Sequence, residues 1–177
     1  LGMVESALPT IVFVAAVTAT GKDIKLSAVI AVVVAVVLAG IRLLRGQTVR
    51  YAASGLAGVA FAAFVAAKTG KAENFFLPGL LFNLAYAAAA IISIVTRRPL
   101  AGYAMIALRG GDIGGWWRRD PDFVRAASRA TWVLAAVFIA RLAVQLPMYF
   151  SDALVALGIA KVAMGLPLFA LGLWVAW

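Results

Sequence analysis

AASRATWVLAAVFIARLAVQLPMYFSDALVALGIAKVAMGLPLFALGLWVAW, residues 126–177, reads as two apolar helices joined by a short turn at Ser151-Asp152, with Arg141 inside the first and Lys161 inside the second. Runs of this length and hydropathy match the roughly 20 residues that cross a bilayer, so both cations fall at lipid depth. A charge there costs about 2.5 to 3.5 kcal/mol on insertion scales, which makes each a candidate functional residue.

Working outward, the same pattern covers the chain. With 65% hydrophobic residues in a length of 177 and a mean hydropathy of +1.03, a soluble domain of this size would have no polar surface to face water. The expected fold is all-α: a polytopic integral membrane protein of six transmembrane helices forming one domain, 1–177. The spans are placed at about 4–20, 26–44, 52–67, 75–96, 121–148 and 153–177, with a cytoplasmic interfacial segment at 97–120. Pro9 is expected in the first turns of span 1, where a missing N–H does least harm. Span 2 is almost wholly Val, Ala, Leu and Ile and reads as lipid-facing. Span 3 is rich in Ala and Gly, and its Ser54, Gly55 and Gly58 predict close packing among neighbours. Phe75 and Phe76 read as aromatic anchors opening span 4. Asp120-Pro121 reads as an N-cap followed by Pro at the first helical position. The opening Leu1-Gly2-Met3 reads as a trimmed start without a signal peptide.

Orientation follows from the basic residues. Arg42, Arg45, Arg50, Arg97, Arg98, Arg109, Arg118, Arg119, Arg125 and Arg129 fall on one side, against Lys22, Lys25, Lys68 and Lys71 on the other. Ten against four predicts cytoplasmic N- and C-termini. The net charge of +9 is spread over short loops between apolar runs, a membrane-orientation pattern rather than a nucleic-acid footprint. Between spans 4 and 5, Trp116 and Trp117 are expected at headgroup level, with Arg118 and Arg119 on anionic lipid.

Counting at ~1.5 Å per residue puts Asn83, Arg141 and Lys161 about 12 to 14 Å from the outer boundary, with Gln145 one turn from Arg141 on its helix face. If those faces converge, Arg141, Lys161, Asn83 and Gln145 form a site for an anion or lipid headgroup. Alternatively the cations snorkel, or pair with Glu5 or with helix C-terminal carbonyls, and hold the bundle together. No carboxylate among the seven sits at matching depth, which favours an external anion.

Other chemistries find little support. There is no Cys or His, so thiol chemistry, disulfides and the commonest metal ligand and general base are excluded. Prenyltransferase-type enzymes need clustered aspartates around Mg²⁺, whereas Asp112, Asp120 and Asp122 are spaced as a loop with a helix cap. No catalytic residue, metal or cofactor is expected. The repeated Leu-Pro-x-x-x-Phe at residues 8–13 and 77–82 opens spans 1 and 4, as inverted transporter halves would. The dipeptide recurs at Leu146-Pro147 and Leu166-Pro167, so it is common in this composition.

Leu8-Pro9-Thr10-Ile11-Val12-Phe13 with Gly21, Arg97-Arg98-Pro99-Leu100, and Trp132 together with Ala160-Lys161-Val162 and Gly165 resemble landmarks of the intracellular septation protein A family. The Ala- and Arg-rich composition further resembles an uncharacterised actinobacterial family of membrane proteins grouped with it. The resemblance implies a small polytopic protein of the bacterial cytoplasmic (inner) membrane, linked to cell division and envelope biogenesis. Lys161 carries over onto a lysine of that pattern. Arg141 does not align with it, because the family places a different polar residue near this point.

The expected function is non-enzymatic: binding of an anionic lipid or a lipid-linked precursor such as an isoprenoid phosphate at the buried cations. The alternatives are a small transporter or flippase for an anionic substrate, and a structural scaffold. Expected partners are membrane lipids, division or envelope proteins and a second copy of the chain, with no nucleic acid.

Overall fold

The computed structural model describes residues 2–21, 23–46, 49–108 and 116–165, with the side chains of 2–6, 50, 51, 116 and 118 left aside. Among these residues every regular element is helical. The helices are α1 (Gly2–Ala19), α2 (Ile24–Leu44), α3 (Val49–Thr69), α4 (Leu77–Val95), α5 (Leu100–Leu108), α6 (Pro121–Phe150) and α7 (Leu154–Ala163). Single 3-10 turns lie at Ala72–Phe75 and Trp116–Arg119. Four stretches are long and apolar enough to cross a membrane: α2, Ala52–Thr69 of α3, α4 and α6. The chain is therefore built as a membrane protein. Two shorter apolar stretches, Ala7–Ala19 and α7, accompany them. The sixth expected span begins with α7, and from residue 166 onward it lies outside the described residues.

The chain divides into two compact units, residues 1–80 with 145–162 and residues 81–144 with 163–177. In the first, α2 packs against α1 and α3. Its buried face is small, Ser27, Ala28, Ala31 and Ala35, while Val29, Val33, Val36 and Val37 are exposed. α3 repeats the arrangement, with Ala62, Ala63 and Ala66 inside and Phe61 and Phe64 outside. In water this would be inverted, since large exposed apolar patches drive association. In lipid, bulky side chains cost nothing outside, and small ones inside let helix backbones approach. Ser54, Gly55 and Gly58, expected in tight contact, are exposed instead. The alanines of α3 form its packed face.

Asp23 begins α2 as a cap, its Oδ1 accepting from the Leu26 N–H at 3.1 Å. Pro9 lies inside α1 rather than in its first turn, because the helix starts as early as Gly2. The side chains of Pro9, Thr10, Phe13 and Val17 make the buried stripe of α1.

The core of this unit is aromatic. Phe13 stacks on Phe75 with ring centroids 4.0 Å apart, and Phe76 meets Phe75 edge-on at 5.6 Å. Leu157 of α7 completes the cluster. Phe75 and Phe76 are 1% and 2% exposed, so they are not headgroup anchors. Gly70, at φ 68°, turns the chain after α3, and the 3-10 turn directs both rings inward. Tyr149 donates its hydroxyl to the Asn74 side-chain oxygen, fixing that turn to the end of α6.

In the second unit, α4 ends in a left-handed Arg97, φ 54°, with Arg98 N–H bonding Ser93 O and Arg97 N–H bonding Ile94 O. This is the Schellman pattern, and Pro99 follows where the helix cannot continue. Two hydroxyls then satisfy the free N–H groups that open α5. Ser93 Oγ accepts from Leu100, and Thr131 Oγ1 of α6 accepts from Ala101 while donating to Ala127 O. At the start of α6, Asp120 Oδ1 accepts from the Asp122 and Phe123 N–H groups ahead of Pro121, as the dipeptide predicts. Arg97's counterpart at the end of α6 is Asp152, also at φ 54°, and Ala153 N–H bonds Met148 O to close the same motif.

Candidate functional site

Trp117, expected at headgroup level, is fully buried in the second unit. Its ring meets Tyr103 edge-on at 5.0 Å and Phe123 at 5.6 Å. The correction has a steric cause. Gly102 of α5 has no side chain, and its bare Cα admits the indole face, which then packs against protein rather than lipid headgroups. A Cβ added at residue 102 would sit 2.8 Å from one indole carbon and 2.9 Å from another. Gly102→Ala should therefore cost about 1 to 3 kcal/mol by overpacking. Thermal unfolding in detergent will show it, and Trp117→Phe on the same background should recover most of the loss by removing the second ring. No recovery would mean that the damage lies elsewhere. Arg119 is exposed, as interface contact requires, while the side chains of Trp116 and Arg118 lie outside the described residues.

Arg141 lies on α6 in the second unit. Its Nη2 donates to the backbone oxygen of Gly165, just past the end of α7. Its Nε is buried. One guanidinium edge is thus used, and Nε has no acceptor among the described residues. In a medium without water, each unmatched polar group costs several kcal/mol. Asn83, half-buried on α4 in the same unit, makes no hydrogen bond with Arg141.

Lys161 occupies the last turn of α7 in the first unit, where the helix dipole favours a cation. Its Nζ stands 5.4 Å from the Phe75 ring centroid and 5.1 Å from that of Phe76. The negative faces of two rings support the ammonium, an interaction worth about 2 kcal/mol when desolvated. Among the described residues it has no carboxylate partner, whereas Arg125 pairs with Asp122 on an exposed face of α6. Gln145, in the same unit, is only 6% exposed.

The four expected residues thus divide into Asn83 and Arg141 in one unit and Gln145 and Lys161 in the other. Sequence reading missed the groups that position them. Phe75 and Phe76 serve as the platform for Lys161, and the Gly165 carbonyl holds Arg141. The only signal for the platform was an aromatic doublet directly after a loop. What remains unused across Arg141 and Lys161 is donor capacity, which suits an oxyanion: a guanidinium presents a planar fork and an ammonium a point charge. Among the described residues no group of acidic side chains could hold a metal ion.

No curated protein and no solved structure matches the chain. A family model does, over residues 1–177, and the chain belongs to that family, described as Protein of unknown function (DUF3159).

Proposed function

We propose that this is a non-enzymatic protein of the bacterial inner membrane that binds an anionic lipid or a lipid-linked precursor during envelope biogenesis or division. In this reading the chain spans the membrane six times with both termini in the cytoplasm, which the asymmetry of basic residues supports. Arg141 is the anion contact of one unit and Lys161 that of the other, with Asn83 and Gln145 as hydrogen-bonding groups beside them. The resemblance to septation protein A landmarks supports the setting, and Lys161 is among the residues that carry it. The observation that carries the reading is the buried Arg141 Nε, a donor in an apolar stretch that has no acceptor among the described residues.

One observation favours a structural reading instead. Arg141 already holds the Gly165 carbonyl, and Lys161 already rests on two rings, so both can pin helices without a ligand. Native mass spectrometry of the purified protein with its co-purifying lipids separates the two. Wild type should retain an anionic lipid or isoprenoid phosphate that Arg141→Gln and Lys161→Gln release. Identical spectra from all three would leave a scaffold.

A further inference from the structure

In the first unit, α2 and α3 leave an open groove on their outer face. Its floor includes Ala60 and Ala63, and its walls include Val29, Val33 and Phe64. Val29, Val33 and Phe64 are each more than half exposed, so no other part of the described chain covers the groove. One end is basic. Lys25 lines that end, and Lys68 places a second ammonium 5.9 Å from the ring of Phe64, itself a lining residue.

We infer that this groove binds one acyl chain of an anionic phospholipid, with the phosphate seated between Lys25 and Lys68. Three observations on the molecule fit that occupant. The first is length: from Lys25 to Val33 is eight residue steps, roughly 12 Å of helix, against the ~15 Å hydrocarbon depth of one leaflet. An acyl chain entering at the lysine end would run along the groove to near the bilayer midplane. The second is shape. Bulky walls over an alanine floor suit a thin flexible chain, whereas helix pairing in membranes favours small residues across the whole contact. The third is charge. Asp23, the acid nearest Lys25 in sequence, spends its Oδ1 on the Leu26 N–H, Glu73 is the acid nearest Lys68, and neither lysine is ion-paired among the described residues. A second copy seated here across a two-fold axis would bring four lysines to one end of the interface, which like-charge repulsion opposes.

The site is independent of Arg141 and Lys161, and its test reads location. The full-length protein is reconstituted in phosphatidylcholine nanodiscs doped with either photoreactive phosphatidylglycerol or photoreactive phosphatidylcholine, each with a diazirine on one acyl chain. After illumination the labelled peptides are mapped. Phosphatidylglycerol should label residues 25–33 and 60–68 at least about tenfold more than phosphatidylcholine does, a difference equal to ~1.4 kcal/mol. Lys25→Gln with Lys68→Gln, both surface changes, should reduce phosphatidylglycerol labelling to the phosphatidylcholine level. Ala60→Phe should remove labelling by either lipid. Equal labelling by the two lipids in wild type overturns the proposal, and so does undiminished labelling in the double lysine variant. A crosslinked dimer through residues 25–33, formed at the expense of lipid labelling, overturns it in favour of a second copy.

Discussion

Replacing Phe75 with alanine should cost about 2 to 4 kcal/mol of resistance to unfolding, while Phe82→Ala should cost less than about 1. The two substitutions delete the same atoms from the two ends of one short stretch. Phe82 is 61% exposed on α4, so lipid tails fill the space its ring leaves. Phe75 is stacked on Phe13 and edge-on to Phe76, where no lipid can enter, and truncation leaves a cavity whose lining loses its dispersion contacts. The water-to-interior transfer contribution is absent in a bilayer, because lipid is as apolar as the protein interior, so the loss stays below the upper range for water-soluble cores. A second loss adds to it, since Lys161 would keep one ring of its two. Denaturation by increasing dodecyl sulfate in mixed micelles measures both variants. Equal losses at 75 and 82 would show that the aromatic core contributes no more than a lipid-facing side chain does.

Some of this architecture could be read directly from residues. Asp120-Pro121 specifies a cap and a first helical position by local chemistry alone, and that is what the backbone does there. α2 was legible as an apolar span from its run of Val, Ala, Leu and Ile, and the structure leaves its valines exposed and its alanines buried. The aromatic residues were not legible in the same way. A Phe or Trp beside a loop fits a headgroup belt and a packed core equally well, and only the path of the chain decides. For Phe75 the deciding feature was a 3-10 turn, and for Trp117 it was the missing side chain of Gly102, far from it in sequence. Thr131 gave no warning either: its role depends on an N–H thirty residues earlier. The cations at 141 and 161 were found because charge in an apolar run needs no tertiary information to be costly. Their partners, a backbone carbonyl and two rings, carry no formal charge, and nothing in sequence pairs them with a cation.

Arg141→Met and Lys161→Met should each leave the folded protein between about 0.5 kcal/mol less and about 2 kcal/mol more stable than wild type, while losing bound anionic lipid by at least about tenfold. The magnitudes set the range. Removing the charge of Lys161 recovers roughly 2.5 to 3.5 kcal/mol of insertion cost and gives up about 2 from the two rings. Removing that of Arg141 recovers a similar amount and gives up about 1.5 to 3 from its charge-assisted hydrogen bond to Gly165. Methionine fills comparable volume with a flexible apolar chain, so the cavity contribution is small. A protein that tolerates losing a buried charge without loss of stability is keeping that charge for something other than folding. If the cations are helix pins, the same substitutions should lower resistance to dodecyl sulfate by 2 kcal/mol or more and leave the lipid complement unchanged. The two accounts therefore differ in both readouts, and one pair of variants measured both ways decides between a binding protein and a scaffold.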